Sequence, residues 1–167
     1  MITTAQILAE RSLQKPCDEQ CVDWAIHLLE SGHETTATCR LAAKLRPHNH
    51  FDLTSLRDQI LTELGVSGTS NDDAITSYAA ELLAHANDGT MDMDAAIDEI
   101  KDMYVSNDLA PDEIYDFYLL YFARTDLRDQ EFQYYWPDAD RSNIENITRD
   151  RISEFLSEHR NRGITKK

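Results

Sequence analysis

Five glycines and four prolines in 167 residues leave little material for flexible linkers or tight hairpin turns. Three cysteines, Cys17, Cys21 and Cys39, make an odd set without a C-x-x-C pair, which argues against a secreted disulfide framework. Cys17 and Cys21, one helical turn apart, read as small packing residues. No window approaches the length of a membrane span, and the first fifteen residues lack the apolar stretch of a signal peptide. A reducing cytoplasm is the expected compartment. Basic residues are also scarce: 16 Lys and Arg stand against 31 Asp and Glu, for a net charge of −15. That surface repels nucleic-acid backbones and anionic membranes and attracts basic proteins.

Chemical motifs are missing as well. There is no Walker loop, nucleophile elbow or Gly-rich dinucleotide turn. Glu30 and His33 match a carboxylate-bridged metal motif once and without a second copy, and His48 and His50 lack partners at zinc spacing. If Gly89 is set as the glycine of a calcium loop, Ala84 and Ala86 fall where oxygen ligands are needed. No cofactor or metal is expected.

What the sequence does contain is helical periodicity. Apolar residues recur at three and four residue intervals over residues 3–13, 18–31, 36–45, 52–64, 70–87, 92–105, 111–124 and 142–163, with no alternating segment between them. The fold expected is all-α: one globular domain over 1–163, of about eight short helices, with 164–167 as a frayed basic tail. Thr3 or Thr4, Asp52, Ser70 or Asn71, and Ser142 with Glu145 three residues on have the composition of helix caps. The stretch Pro111–Arg124, PDEIYDFYLLYFAR, is apolar around most of its circumference and reads as the central post of the core. Ile114, Phe117, Tyr118, Tyr121 and Phe122 share one of its faces.

Charge is concentrated rather than spread. Between Asn71 and Asp116, 13 acids face the single base Lys101. Asp94, Asp98 and Asp102 recur every four residues on one helix, a like-charge spacing that costs roughly 0.2–0.5 kcal/mol per pair. A stripe that breaks a local stability rule is a natural place to look for function. With Asp88, Asp92 and Asp108 near the helix ends, it forms a candidate surface for Lys or Arg of a partner. Nine of the fourteen aromatics lie between Tyr115 and Trp136. Tyr134, Tyr135 and Trp136, in the loop expected after Arg124, either fold over the core or stand beside the acids as anchors.

Asp23-Trp24-Ala25-Ile26-His27-Leu28-Leu29-Glu30-Ser31-Gly32, followed by Cys39-Arg40-Leu41-Ala42, resembles small acidic all-helical bacterial proteins. Their build is similar to that of immunity proteins that neutralise basic bacterial toxins. The resemblance covers about the first 65 residues, consists mostly of core positions and carries over no site residue. It implies a stoichiometric inhibitor of a basic enzyme, possessing no membrane or direct nucleic-acid partner. Two other readings stay open: a helical enzyme using Asp116 beside Tyr115 or Tyr118 in an inter-helix pocket, and an acidic nucleic-acid mimic.

Overall fold

The starts of α1 to α6 are decided by a short polar side chain that satisfies a backbone N–H the helix itself leaves unpaired. The chain is seen in a computed structural model that describes residues 1–165, and side chains through Asn161. Among the described residues it is all-α, with helices α1 (Thr4–Ser12), α2 (Glu19–Glu30), α3 (Thr36–Ala42), α4 (His50–Glu63), α5 (Asn71–Asn87), α6 (Met93–Ser106), α7 (Tyr115–Asp129) and α8 (Ile144–Thr165). Thr3, Asp18, Thr35, Asn49 and Asp92 cap α1, α2, α3, α4 and α6, and Ser70 Oγ accepts from Asp73 N at the start of α5. Of the expected tail, Lys166 and Lys167 lie outside the described residues.

Several boundaries differ from those read in the sequence. Asn49, three residues earlier than expected, caps α4, which frees Asp52 to pair with Lys44. Helix α3 stops at Ala42, leaving Leu45 84% exposed. Its buried residues are Ala37, Thr38 and Leu41, while Cys39 faces solvent. Ser142 does not form a capping box. Asp140 instead accepts from the hydroxyl and backbone N–H of Ser142, and Glu145 is used by Arg124 and Arg149. Gly163 does not end α8, which continues to Thr165.

The chain divides into two compact units, Met1–Ile75 and Thr76–Lys167, with the boundary inside α5. In the first, α2, α3 and α4 pack together around Trp24, Leu41, Leu53, Leu56, Ile60 and Leu61, each at most 1% exposed. Trp24 Nε1 donates to Thr4 Oγ1 at 3.2 Å and so ties α1 to α2. Cys17 and Cys21, both in this core, are joined by a disulfide. Because Cys17 precedes the Asp18 cap, the two are not i, i+4 along one helix. The turn brings their Cα atoms to 5.9 Å, inside the disulfide range.

In the second unit α7 packs on α6 and α8. Its buried stripe is Phe117, Leu120, Ala123 and Leu127, continued backwards by Ile114 of a short 3-10 helix, Asp112–Ile114, that follows Pro111. Tyr118, Tyr121 and Phe122 are half-buried and Tyr115 is exposed. The helix therefore has two apolar faces: a fully buried one carrying Phe117, Leu120, Ala123 and Leu127, and a partly exposed one of tyrosines and Phe122.

Candidate protein-docking surface

The outward face of α7 is assembled from residues at helical spacing, Tyr115, Tyr118 and Phe122, with Tyr121 beside them. Their rings touch in sequence. Tyr118 lies 6.1 Å from Tyr115 and 5.1 Å from Phe122, and Phe122 lies 5.1 Å from Tyr121, measured between centroids. Tyr104 of α6 closes the stripe at one end, 5.9 Å from Tyr115 and 5.2 Å from Tyr118. At the other end Tyr135 stacks on Phe122 at 5.2 Å. Offset and edge-on pairs of this kind are worth about 0.5–1.5 kcal/mol each beyond their buried area, so the stripe is stiff.

The loop that delivers Tyr135 is held by a residue no sequence motif singled out. Gln133 Oε1 accepts from Tyr135 N and Trp136 N at 2.7 and 2.8 Å, and its Nε2 donates to the carbonyls of Trp136 and Ala139. Arg141 Nε reaches back to the Leu127 carbonyl at 2.7 Å, fastening the loop to the end of α7. Tyr134, 86% exposed, is thereby displayed on a fixed backbone, with Phe132 packed edge-on against it at 5.5 Å. Tyr135 is 40% exposed and Trp136 half-buried. Of the two outcomes open for this run, the loop leaves Tyr134 and Tyr135 exposed rather than folded over the core.

The α6 carboxylates are arranged differently from a row awaiting an external cation. Asp94 is bound by Arg124 at 2.6 Å and by Arg128 at 2.7 Å. Asp98 and Asp102 share Lys101, at 2.9 and 2.6 Å. These cations supply the compensation that the i, i+4 acids lacked in the sequence. The hydrogen bond Lys101 donates to Asp102 raises its pKa above the ordinary value, and Asp98 adds to this against the opposing effect of desolvation. Lys101 Nζ also lies 4.5 Å above the Tyr121 ring, so the pair of acids is joined to the aromatic stripe through it. Asp92 is the α6 cap. Asp88, past the end of α5, and Asp108, past the end of α6, are exposed and form no ion pair among the described residues.

No family model, curated protein or solved structure matches this chain. The chemistry of the surface has to be read from its own residues.

Asp116 sits elsewhere in the unit. Its Oδ2 accepts from Arg151 Nε at 2.6 Å, and its side chain is 37% exposed. Arg151 also holds Glu154, so the group fastens α7 to α8. A cavity of about 400 Å³ lies near it, lined by Thr76, Asp112, Glu113, Arg151, Phe155 and Glu158 among others, but Asp116 is not in its wall. Among the described residues no group of three or more His, Cys, Asp or Glu is placed to hold a metal, and no helix is long and apolar enough to cross a membrane.

Proposed function

We propose that this chain is a protein-binding module, an immunity- or antitoxin-like inhibitor that occludes a basic partner enzyme; the Cys17–Cys21 disulfide removes the cysteine argument for a reducing cytoplasm. The observation carrying this reading is the display of Tyr134 and Tyr135 on a loop fixed by Gln133 and continuous, through Phe122, with the α7 aromatic stripe. Aromatic side chains held rigid before binding lose little entropy on docking, and they are the residue types that dominate interface energetics. The acids take a second role. With a net charge of −15, the molecule attracts a basic partner over distance, and the contact energy comes from the rings.

The test is capture from the native host at low salt, using immobilised wild type beside the Tyr134→Ser/Tyr135→Ser variant. Both positions are exposed, so circular dichroism should be unchanged. The expected result is one basic protein that is retained by the wild type, released as salt rises, at least tenfold depleted on the variant, and able to form a 1:1 complex when purified. Each anchor tyrosine is worth on the order of 1–2 kcal/mol in such an interface. Retention of the same proteins by both forms would overturn the reading.

A further inference from the structure

The aromatic stripe meets carboxylates at two places, and the chain's own cation fills one of them. At Tyr121 the lysine Nζ of Lys101 lies over the ring while Asp98 and Asp102 hold it from the side, leaving the side chain only 17% exposed. That arrangement shows how this surface accommodates a positive group: a tyrosine face beneath, carboxylates at the edge.

One turn and more towards the start of α7 the same ingredients recur. Tyr104, 5% exposed, forms the floor; Tyr115, 43% exposed, and the half-buried Tyr118 stand against it. Asp112, exposed on the 3-10 helix, stands one turn before Tyr115, whose backbone N–H donates to the Asp112 carbonyl. Among the described residues no Lys or Arg forms an ion pair with Asp112, and no cation lies over Tyr104, Tyr115 or Tyr118. Arg151, which shares a cavity wall with Asp112, has its guanidinium engaged by Asp116 and Glu154.

We infer that Tyr104, Tyr115, Tyr118 and Asp112 form a subsite for an arginine side chain of the basic partner, an assignment that rests on the protein-binding reading above. Arginine fits this chemistry better than lysine. Its planar guanidinium is weakly hydrated, stacks on an exposed ring, and offers two parallel N–H groups to one carboxylate. The Tyr115 face supplies the ring and Asp112 the acceptor. Val105 and Leu109, 51% and 55% exposed at the end of α6, add apolar surface to the same end of the unit. Because the rings form an open surface, the cation has to be delivered on a larger scaffold, as a partner's side chain is.

The probe is an alanine-based helical peptide carrying three arginines at i, i+4 spacing, compared with its lysine and citrulline counterparts. Each is titrated at low salt into protein with labelled tyrosine rings, the signals assigned through Tyr→Phe variants. The arginine peptide should shift Tyr104, Tyr115 and Tyr118 and bind roughly two- to fivefold tighter than the lysine peptide, the range expected of an exposed cation–ring contact. The citrulline peptide should leave the rings unmoved. Tyr115→Leu and Asp112→Asn should each weaken the arginine peptide several-fold and remove its advantage. Equal binding of the arginine and lysine peptides, indifferent to Tyr115→Leu, would overturn the subsite while leaving a cationic partner in place. Failure of every peptide at low ionic strength would overturn the cationic-partner reading along with the subsite.

Discussion

Arg124 Nε donates to Asp94 Oδ1 at 2.6 Å, so the first carboxylate of the α6 acidic row is bound from α7. The same guanidinium reaches α8 through Glu145 at 3.0 Å and Thr148 Oγ1 at 3.2 Å. Burial opposes its charge, but the hydrogen bonds to Asp94 and Glu145 outweigh that effect and raise its pKa. With the Arg124 side chain 12% exposed, removing it takes one of two cations from each of Asp94 and Glu145, which keep Arg128 and Arg149. Arg124→Leu should therefore destabilise the protein by about 1.5–3 kcal/mol, through the lost charge-assisted hydrogen bonds that tie α6 and α8 to α7. Asp94→Asn should cost about 1 kcal/mol, since Glu145 and Thr148 still hold the guanidinium. Urea denaturation of both variants checks the order. An Asp94→Asn variant as stable as wild type would leave Asp94 without the structural role assigned to it.

Gln133 is expected to matter to binding without touching the partner. Gln133→Ala deletes two acceptor and two donor contacts to the loop backbone. Amide hydrogen exchange at Tyr135 and Trp136 should accelerate, with global stability falling by about 1–2 kcal/mol. Complexes with the captured partner should dissociate faster, because the tyrosines lose their fixed presentation. Unchanged exchange at both amides would show that the loop is held by something else.

Most of the fold could be read in advance because it depends on local rules. Thr3 and Ser70 act as caps at positions the sequence offers for them, and α5 buries Ile75, Tyr78, Ala79, Leu82, Leu83 and Ala86 at the expected period. Two of the readings that differ turn on competition between possible partners. Asp52 has cap chemistry, yet Lys44 takes it and Asn49 caps instead. Ser142 and Glu145 have box spacing, yet Asp140 and Arg124 claim them. On α7, period alone cannot divide a nearly all-apolar circumference between core and surface, so Tyr118, Tyr121 and Phe122 were grouped with Phe117 although only Phe117 is fully buried. The α6 row was visible as a row. Its cations lie 30 and 34 residues away or between the acids, and spacing alone does not pair them. For Gln133 the sequence offers no signal beyond an amide set among aromatics.

At low pH the entrance to α8 should respond in a defined window. The Ser142 hydroxyl at 2.6 Å and backbone N–H at 2.7 Å, with Asn143 N–H at 3.1 Å, hold the Asp140 carboxyl below the usual carboxylate range. All three donate to the ionised form. A folded-state pKa below the unfolded one contributes stability that is present above the unfolded value, about 3.9, and lost as pH falls through the folded value. The contribution is therefore constant from pH 7 to pH 5 and disappears only in stronger acid. Carbon-13 titration should place the Asp140 midpoint below that of the same residue in an unstructured peptide. Coincident midpoints would remove the turn from any account of acid stability.

The end of α6 provides a test of stability against function. Helix α4 closes with Gly65 at φ +72° and Val66 N donating to the Leu61 carbonyl; α6 closes with the same six-residue bond, Leu109 N to Tyr104 O, but with Asp108 at φ +54° and then Leu109 at φ +60°. A branched side chain in the left-handed region costs roughly 1–2 kcal/mol, and Leu109 recovers little of it, being 55% exposed. Asp108→Gly and Leu109→Asn should each raise stability by about 0.5–1 kcal/mol, seen as a higher Tm. If the strain is kept because Leu109 lends apolar surface beside the tyrosine cluster, Leu109→Asn should also weaken the arginine peptide, while Asp108→Gly alters it only through one lost charge. A Leu109→Asn protein that is more stable and binds as well as wild type would leave the strained leucine without a function.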